Sequence, residues 1–373
     1  MSNLFSEFVL NSPRGPLKLV NRVVVAPMCQ YSAHLGKASD WHLFHWAGLL
    51  NSGAAMLIIE ATAVTPHARI SPQCLGLWDD ETAGALSEKL GRARKLAPKI
   101  PVCIQLSHAG RKGSSSAPWR GGGQLIDISQ GGWQTEAPSP IPHLNKDLTP
   151  RSISSIEMTG IKKTFVDAAM RAEALSIEAV ELHAAHGYLL HQFLSPLSNT
   201  RTDEFGGNFD GRTRFPLEVF KSVREKYNGV LGMRISASDW VEGGWTPEET
   251  ADFALRLKLA GANYVHISSG GISALQKIPP KPSYQVPFAK LVKEKTGLPT
   301  IAVGLITEPN QAQEILTHGD ADLVAMARSF IYRPRWMWEA AAQLEGTVMA
   351  VPQHSRCAPR EVQNIFVIAQ VDE

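Results

Sequence analysis

Two imidazoles and a phenol stand within six residues of one another at His183, His186 and Tyr188, where a short apolar run (AVEL, 179–182) breaks into a polar loop. The run is β-compatible, and the residues after it, His183-Ala184-Ala185-His186-Gly187-Tyr188, read as the mouth of a strand. Two imidazole N–H groups can donate to one oxygen, and a phenol of pKa about 10 is a suitable proton donor for a carbanion. The same spacing also fits a metal pair of the H-x-x-H type or core histidines satisfied by backbone, so these six residues leave the choice open.

Groups that act together must be carried to one place by the fold. Eight short apolar runs recur along the chain: VVVAP (23–27), MLIIEATAV (56–64), VCIQLSH (102–108), AVELHAAH (179–186), GMRIS (232–236), YVHISS (264–269), TIAVG (300–304) and LVAMAR (323–328). Each is nearly continuous in apolar character, as strands buried on both faces must be, and each is separated from the next by enough chain for a crossover helix. Eight such units predict a (β/α)8, or TIM, barrel. A doubly wound open sheet is the alternative, but no G-x-G-x-x-G follows an early strand. One segment interrupts the rhythm. Residues 114–154, after the third barrel strand, are rich in Gly, Pro, Ser and Trp and too long for an ordinary connection. Trp119 and Trp133 within it predict a packed cap over the barrel mouth.

Active sites of such barrels lie at the C-terminal strand ends, so those ends can be inspected directly. Gly304 and Arg328, after the seventh and eighth strands, supply close backbone approach and a guanidinium fork suited to a phosphate. A sugar phosphate would satisfy that pair. Gln105 and Arg234 turn the balance, because they could bond the pyrimidine edge of a flavin and hold negative charge near its N1.

Composition narrows the partners. The 373 residues are 44% hydrophobic and 19% charged, with 37 Lys and Arg against 35 Asp and Glu, a formal charge of +2. There is no dense basic run, so nucleic acid is not an expected partner. Cys29, Cys74, Cys103 and Cys357 form no C-x-x-C pair, which disfavours a zinc site or a disulfide framework and fits a reducing compartment. The N-terminal residues lack a signal-type pattern and no run of apolar residues is long enough to span a bilayer, so a cytoplasmic protein without membrane association is expected.

The longer stretch settles on a relative. H-x-x-H-G-Y followed by LHQFLSPLSNTRTDEFGG and a basic-aromatic close resembles the old yellow enzyme family of FMN-dependent ene-reductases. Cys29 within PMCQY, with Tyr31 two residues on, is similar to the xenobiotic-reductase branch, and the resemblance runs from about residue 5 to about residue 360. It implies FMN held non-covalently, reduced by NADPH or NADH and reoxidised by an activated alkene. By the same resemblance Ala26, Pro27, Met28 and Cys29 lie along the isoalloxazine, Ala61 and Gln105 at its edge, Arg234 at N1 and O2, and Ala327 and Arg328 at the phosphate, where the strand-end reading also places Gly304.

It further implies that His183 and His186 bond the substrate oxygen beside the flavin, that Tyr188 protonates the α-carbon, and that Tyr31 closes over the substrate. Cys29 then adjusts the flavin's potential and is not a nucleophile. Arg356 aligns with an arginine that relatives extend into a neighbouring active site, which implies a homodimer or higher assembly; an exposed tail arginine is the alternative. The chain departs from the family at Ala327-Arg328, where Gly-Arg is common, and at His354, where a tyrosine is usual. Residues 361–373 extend past the resemblance. Asp40, His42 and His45 read as packing or capping residues, His108 as a possible flavin neighbour, and Arg111 and Lys112 as lid supports or phosphate attractants. The competing readings are a flavin barrel acting on amines or dienoyl thioesters and a non-redox barrel binding a phosphorylated metabolite.

Overall fold

In a computed structural model, described for residues 3–124, 127–362 and 364–369, eight parallel strands close into a barrel. An antiparallel hairpin comes first, β1 (Phe8–Ser12) and β2 (Gly15–Leu19). The barrel strands are β3 (Val23–Val25), β4 (Met56–Ala63), β5 (Val102–Ser107), β8 (Ala179–Ala184), β9 (Val230–Ser236), β10 (Tyr264–Ser268), β11 (Thr300–Ala302) and β12 (Leu323–Met326). These are the eight apolar runs of the sequence. Helices or helical turns follow every strand, so each strand is covered by a helix outside and by side chains inside, and every barrel strand is buried along its whole length.

Two apolar layers result. The outer one lies between strands and helices; the inner one, with Val24, Met56, Ile58, Cys103, Tyr264, Ile301 and Leu323, fills the barrel. Leu10 and Leu19 of the β1–β2 hairpin join that inner cluster. Helix starts are set by local chemistry. Ser154 accepts from the Glu157 N–H while Glu157 accepts from the Ser154 N–H, a reciprocal cap that opens helix Ser155–Ala174 after the insertion. Thr246 and Glu249 repeat the device for helix Pro247–Leu259.

The described residues of the 114–154 segment, called the cap below, are tied to the barrel by hydrogen bonds. The cap contains the two-residue parallel pair β6 (Glu136–Ala137) and β7 (Arg151–Ser152). Trp133 Nε1 donates to the His67 oxygen at 3.1 Å with the Arg69 guanidinium over its ring. Trp119 is largely exposed, with one edge against Tyr31. Beyond the last barrel helix, β13 (Val348–Ala350) pairs in parallel with β14 (Phe366–Ile368), and the Phe366 ring packs on Trp338 at 4.7 Å. The described part of the C-terminal extension thus lies on the chain's own barrel helices. Residues 370–373 are outside the described residues.

Candidate functional site

The loop after β8 is held by polar contacts on every side. In register, His183 of β8 pairs with Arg234 of β9, which pairs in turn with His266 of β10, so the three side chains share the inner face near the mouth. His183 Nδ1 accepts the Ala185 N–H at 3.2 Å, which puts the ring proton on Nε2. His186 has φ +58°, its N–H donates to Ser236 Oγ at 2.9 Å, and its Nε2 shares a 2.7 Å hydrogen bond with Ser268 Oγ. The ring centroids of His183 and His186 are 5.2 Å apart, and those of His183 and Tyr188 4.9 Å, both nearly perpendicular.

Behind this turn stands a buried triad of supports. His191 Nδ1 accepts the Gly187 N–H at 2.9 Å, its Nε2 meets Asp239 Oδ1 at 2.9 Å, and Asp239 Oδ2 accepts from Ser195 Oγ and the Trp245 N–H. Lys112 Nζ donates to the main-chain oxygens of His186 (2.8 Å) and Gly271 (3.1 Å) and sits 5.3 Å from the Tyr188 ring centre. Arg111 ties the oxygens of Ile272 and Ile141, joining cap to barrel loop. Both residues are therefore supports of the cap and the loop, as one of their two expected roles requires.

Burial keeps the reactive groups neutral. It is the main reason that both His183 and His186 titrate well below the usual imidazole range, with the Arg234 charge adding to the effect. Burial likewise pushes the Tyr188 phenol and the Cys29 thiol well above their ordinary values, and nearby Cys29 adds to the effect at Tyr188. The Lys112 ammonium is lowered to about 8 by burial and by Arg111. Two neutral N–H-bearing rings, a protonated phenol and an un-ionised thiol suit hydrogen bonding and proton donation, not thiolate attack.

The remaining site residues line the same mouth. Tyr31 and Cys29 pack with Tyr188 against Ile70, Cys74 and Ala109. Tyr31 adopts φ +48° and meets the Trp119 edge at 5.6 Å. Gln105 Nε2 donates to Glu181 Oε1 at 2.7 Å, leaving its carbonyl oxygen as the end available to a ligand. A cavity of about 600 Å³ opens between the ends of β9 to β12, lined among others by Ala26, Arg234, Ser268, Gly304, Ala327 and Arg328. Its volume lies in the usual range of cofactor pockets.

Arg234 Nε is buried there with no protein partner, as expected of a donor kept for a ligand. Gly304 has φ +113°, and a Cβ would lie 2.8 Å from Gln285 Nε2, so only glycine brings its backbone to the cavity wall. The donor set fits a flavin phosphate and pyrimidine edge. Ser268 joins the two halves, since it lines this cavity and bonds His186. Pro27 and Met28 follow β3 directly, and Ala61 lies in the C-terminal half of β4.

Not every candidate joins the site. The His108 ring is held at both nitrogens: its Nε2 lies 3.0 Å from Glu136 Oε1 of the cap and its Nδ1 accepts the Gly110 N–H, so it ties the cap to the end of β5. His42 Nδ1 accepts the Ser39 N–H at the start of helix Asp40–Leu50, a capping role. Arg356 is exposed on the tail, and His354 packs on Trp338. Sequence reasoning passed over Glu181, His266, Tyr264, His191 and Asp239. Period-two alternation with His183 would have put Glu181 on the inner face, and a charged residue in an otherwise apolar strand was the signal.

A model of the NADH:flavin oxidoreductase / NADH oxidase family matches residues 13–346. The chain belongs to that family. An NADPH dehydrogenase of Geobacillus thermodenitrificans is 40% identical over 353 residues, 93% of this chain and 98% of the relative. One from Listeria innocua is 38% identical over 358 residues, 95% of this chain and 99% of the relative. Among solved structures, a morphinone reductase variant in complex with tetrahydroNAD superposes with TM-score 0.73 at 26% identity, covering 91% of this chain and 92% of that one. The resemblance to the old yellow enzyme family therefore stands, and the protein is an FMN-dependent oxidoreductase that takes electrons from a nicotinamide nucleotide.

Proposed function

We propose that the chain reduces the carbon–carbon double bond of α,β-unsaturated carbonyl or nitro compounds, with NADPH or NADH as the electron source. The observation that carries this is the cluster of neutral His183, His186 and protonated Tyr188 beside Arg234. Bound FMN supplies the hydride received from the nicotinamide. His183 offers Nε2–H to the substrate oxygen; His186 offers Nδ1–H in the tautomer in which Ser268 donates to its Nε2. Both donors are fixed before charge grows on that oxygen, so they favour the transition state over the ground state.

Tyr188, held protonated, would donate a proton to the α-carbon. Tyr31 and Trp119 form the wall that closes over the substrate. Cys29 stays a thiol and tunes the cofactor by a weak contact. Gly304, Ala327 and Arg328 hold the phosphate, Ala26 to Cys29 and Ala61 the ring, and Gln105 and Arg234 its polar edge. Similarity to curated NADPH dehydrogenases favours NADPH as donor. The family resemblance at Arg356 favours a homodimer or higher assembly in which that side chain reaches a neighbouring site.

The test is anaerobic. Purified holoprotein bleached by one equivalent of NADPH should regain its colour on addition of 2-cyclohexenone or a nitroalkene, with the saturated product formed in step. Colour that returns only with oxygen or quinones would overturn the substrate class.

A further inference from the structure

Beneath the mouth, behind Gln105, lies a closed polar network whose centre, Glu181, no step above uses. Glu181 of β8 is fully buried, and its carboxylate accepts from Gln105 Nε2 (2.7 Å) through Oε1, and from His266 Nδ1 (2.9 Å) and Tyr264 OH (3.2 Å) through Oε2. Tyr264 OH in turn lies 3.5 Å from Cys103 Sγ. Gly232, the in-register neighbour of Glu181 on β9, has no side chain, and a Cβ there would collide with the Tyr264 ring. The barrel floor has thus given up a side chain to seat the tyrosine that bonds this carboxylate.

A buried carboxylate needs a reason. Burial would raise the Glu181 carboxyl, yet the hydrogen bonds from His266 and Gln105 and the Arg234 charge outweigh that and hold it below the ordinary range, so it is an anion. Glu181 is in turn the foremost charge opposing the lowering of Arg234 by burial. The pair is neutral together. The groups around Glu181 are Gln105 and Cys103 on β5, Arg234 on β9, and Tyr264 and His266 on β10; of these only Arg234 carries charge, His266 being lowered by burial.

We propose that Glu181 is a positioning residue that sets the redox balance of the bound flavin, by fixing the Gln105 amide and by offsetting the Arg234 charge. It rests on the placement of FMN proposed above. With Glu181 ionised, Gln105 must donate to it and so presents its carbonyl oxygen to the cofactor edge. With Glu181 ionised, Arg234 also stabilises negative charge on the reduced ring less than an isolated guanidinium would. The reduced flavin is therefore kept reactive enough to pass its electrons on.

Glu181→Gln keeps the shape and removes the charge. Tyr264 OH can turn to accept, and neutral His266 can change tautomer, so the three partners can be rebonded. At a fixed potential, the ratio of reduced to oxidised FMN in E181Q should rise by roughly tenfold or more, the scale of one charge several ångströms away in a partly screened interior. Tyr264→Phe removes a donor and leaves the carboxylate more exposed in charge, so the same ratio should fall, by about two- to fivefold. The readout is the flavin spectrum against a redox dye, with FMN affinity measured by fluorescence.

Unchanged ratios in both variants, with FMN bound as tightly as in the unaltered protein, would overturn the inference. Should E181Q not fold, the Tyr264→Phe result decides, and a rise or no change there overturns it. Unaltered protein that takes up no FMN would instead sink the placement of the cofactor.

Discussion

Gly187 presses so closely on Gly271 that a Cβ at position 187 would lie 2.1 Å from the Gly271 main-chain oxygen. Gly187 also sits at φ +77°, directly after His186 at φ +58°. Two consecutive left-handed residues turn the chain sharply out of β8 and aim both His186 and Tyr188 at the mouth. Gly187→Ala should therefore displace that loop. We expect a loss of stability of about 1–3 kcal/mol from strain and contact, together with a loss of alkene-dependent reoxidation larger than any loss in the NADPH step. Thermal unfolding and stopped-flow absorbance measure the two effects separately.

Tyr188 offers the sharpest division between half-reactions. Its phenol is protonated through the working range because burial pushes its pKa up. Tyr188→Phe removes the proton and little else, since the ring still packs against His183 and beneath Lys112. Reoxidation by the alkene should slow by roughly 10²-fold or more, while NADPH bleaches the flavin at nearly the original rate. Equal losses in both steps would contradict the assigned role.

How much of this was legible beforehand follows from what each part depends on. The barrel strands were readable because burial on both faces makes a run apolar without interruption, as in Met56–Ala63. Trp133 is a large ring that needs a polar partner, and it finds the His67 oxygen. Glu181, His266 and Tyr264 were not, because their meeting is a matter of register across β8, β9 and β10, which a single strand does not encode. The His108 partner was hidden for a related reason: Glu136, which meets its ring, comes from the cap 28 residues later.

Stability should fall with acid earlier than carboxylates alone would cause. His183 and His186 titrate well below their ordinary value in the folded chain, and burial lowers His45 and His143 to about 4. An unfolded histidine takes a proton near pH 6.5. Below that pH the unfolded state binds protons that the native state refuses, so the native state is disfavoured as pH drops. The stability these groups contribute is complete above about pH 6.5 and is lost on the way down towards pH 4. Urea midpoints of the apoprotein should fall steadily between pH 7 and pH 5. A flat profile over that window would show that these histidines protonate in the folded chain.

Trp119 tests whether the cap acts on the substrate or merely covers it. Its indole is largely exposed, and the contact it makes at the mouth is edge-on to Tyr31, at 5.6 Å between ring centres and 87° between planes. Trp119→Ala should leave the unfolding temperature nearly unchanged, because a side chain in water contributes little burial. If Tyr31 must close over the alkene, losing the ring that steadies it should raise KM for the alkene several-fold, with kcat at saturation and the rate of flavin reduction close to their starting values. A fall in kcat with KM constant would mean that Tyr31 acts on the reacting atoms without help from the cap, and the wall formed with Trp119 would then be no part of substrate binding.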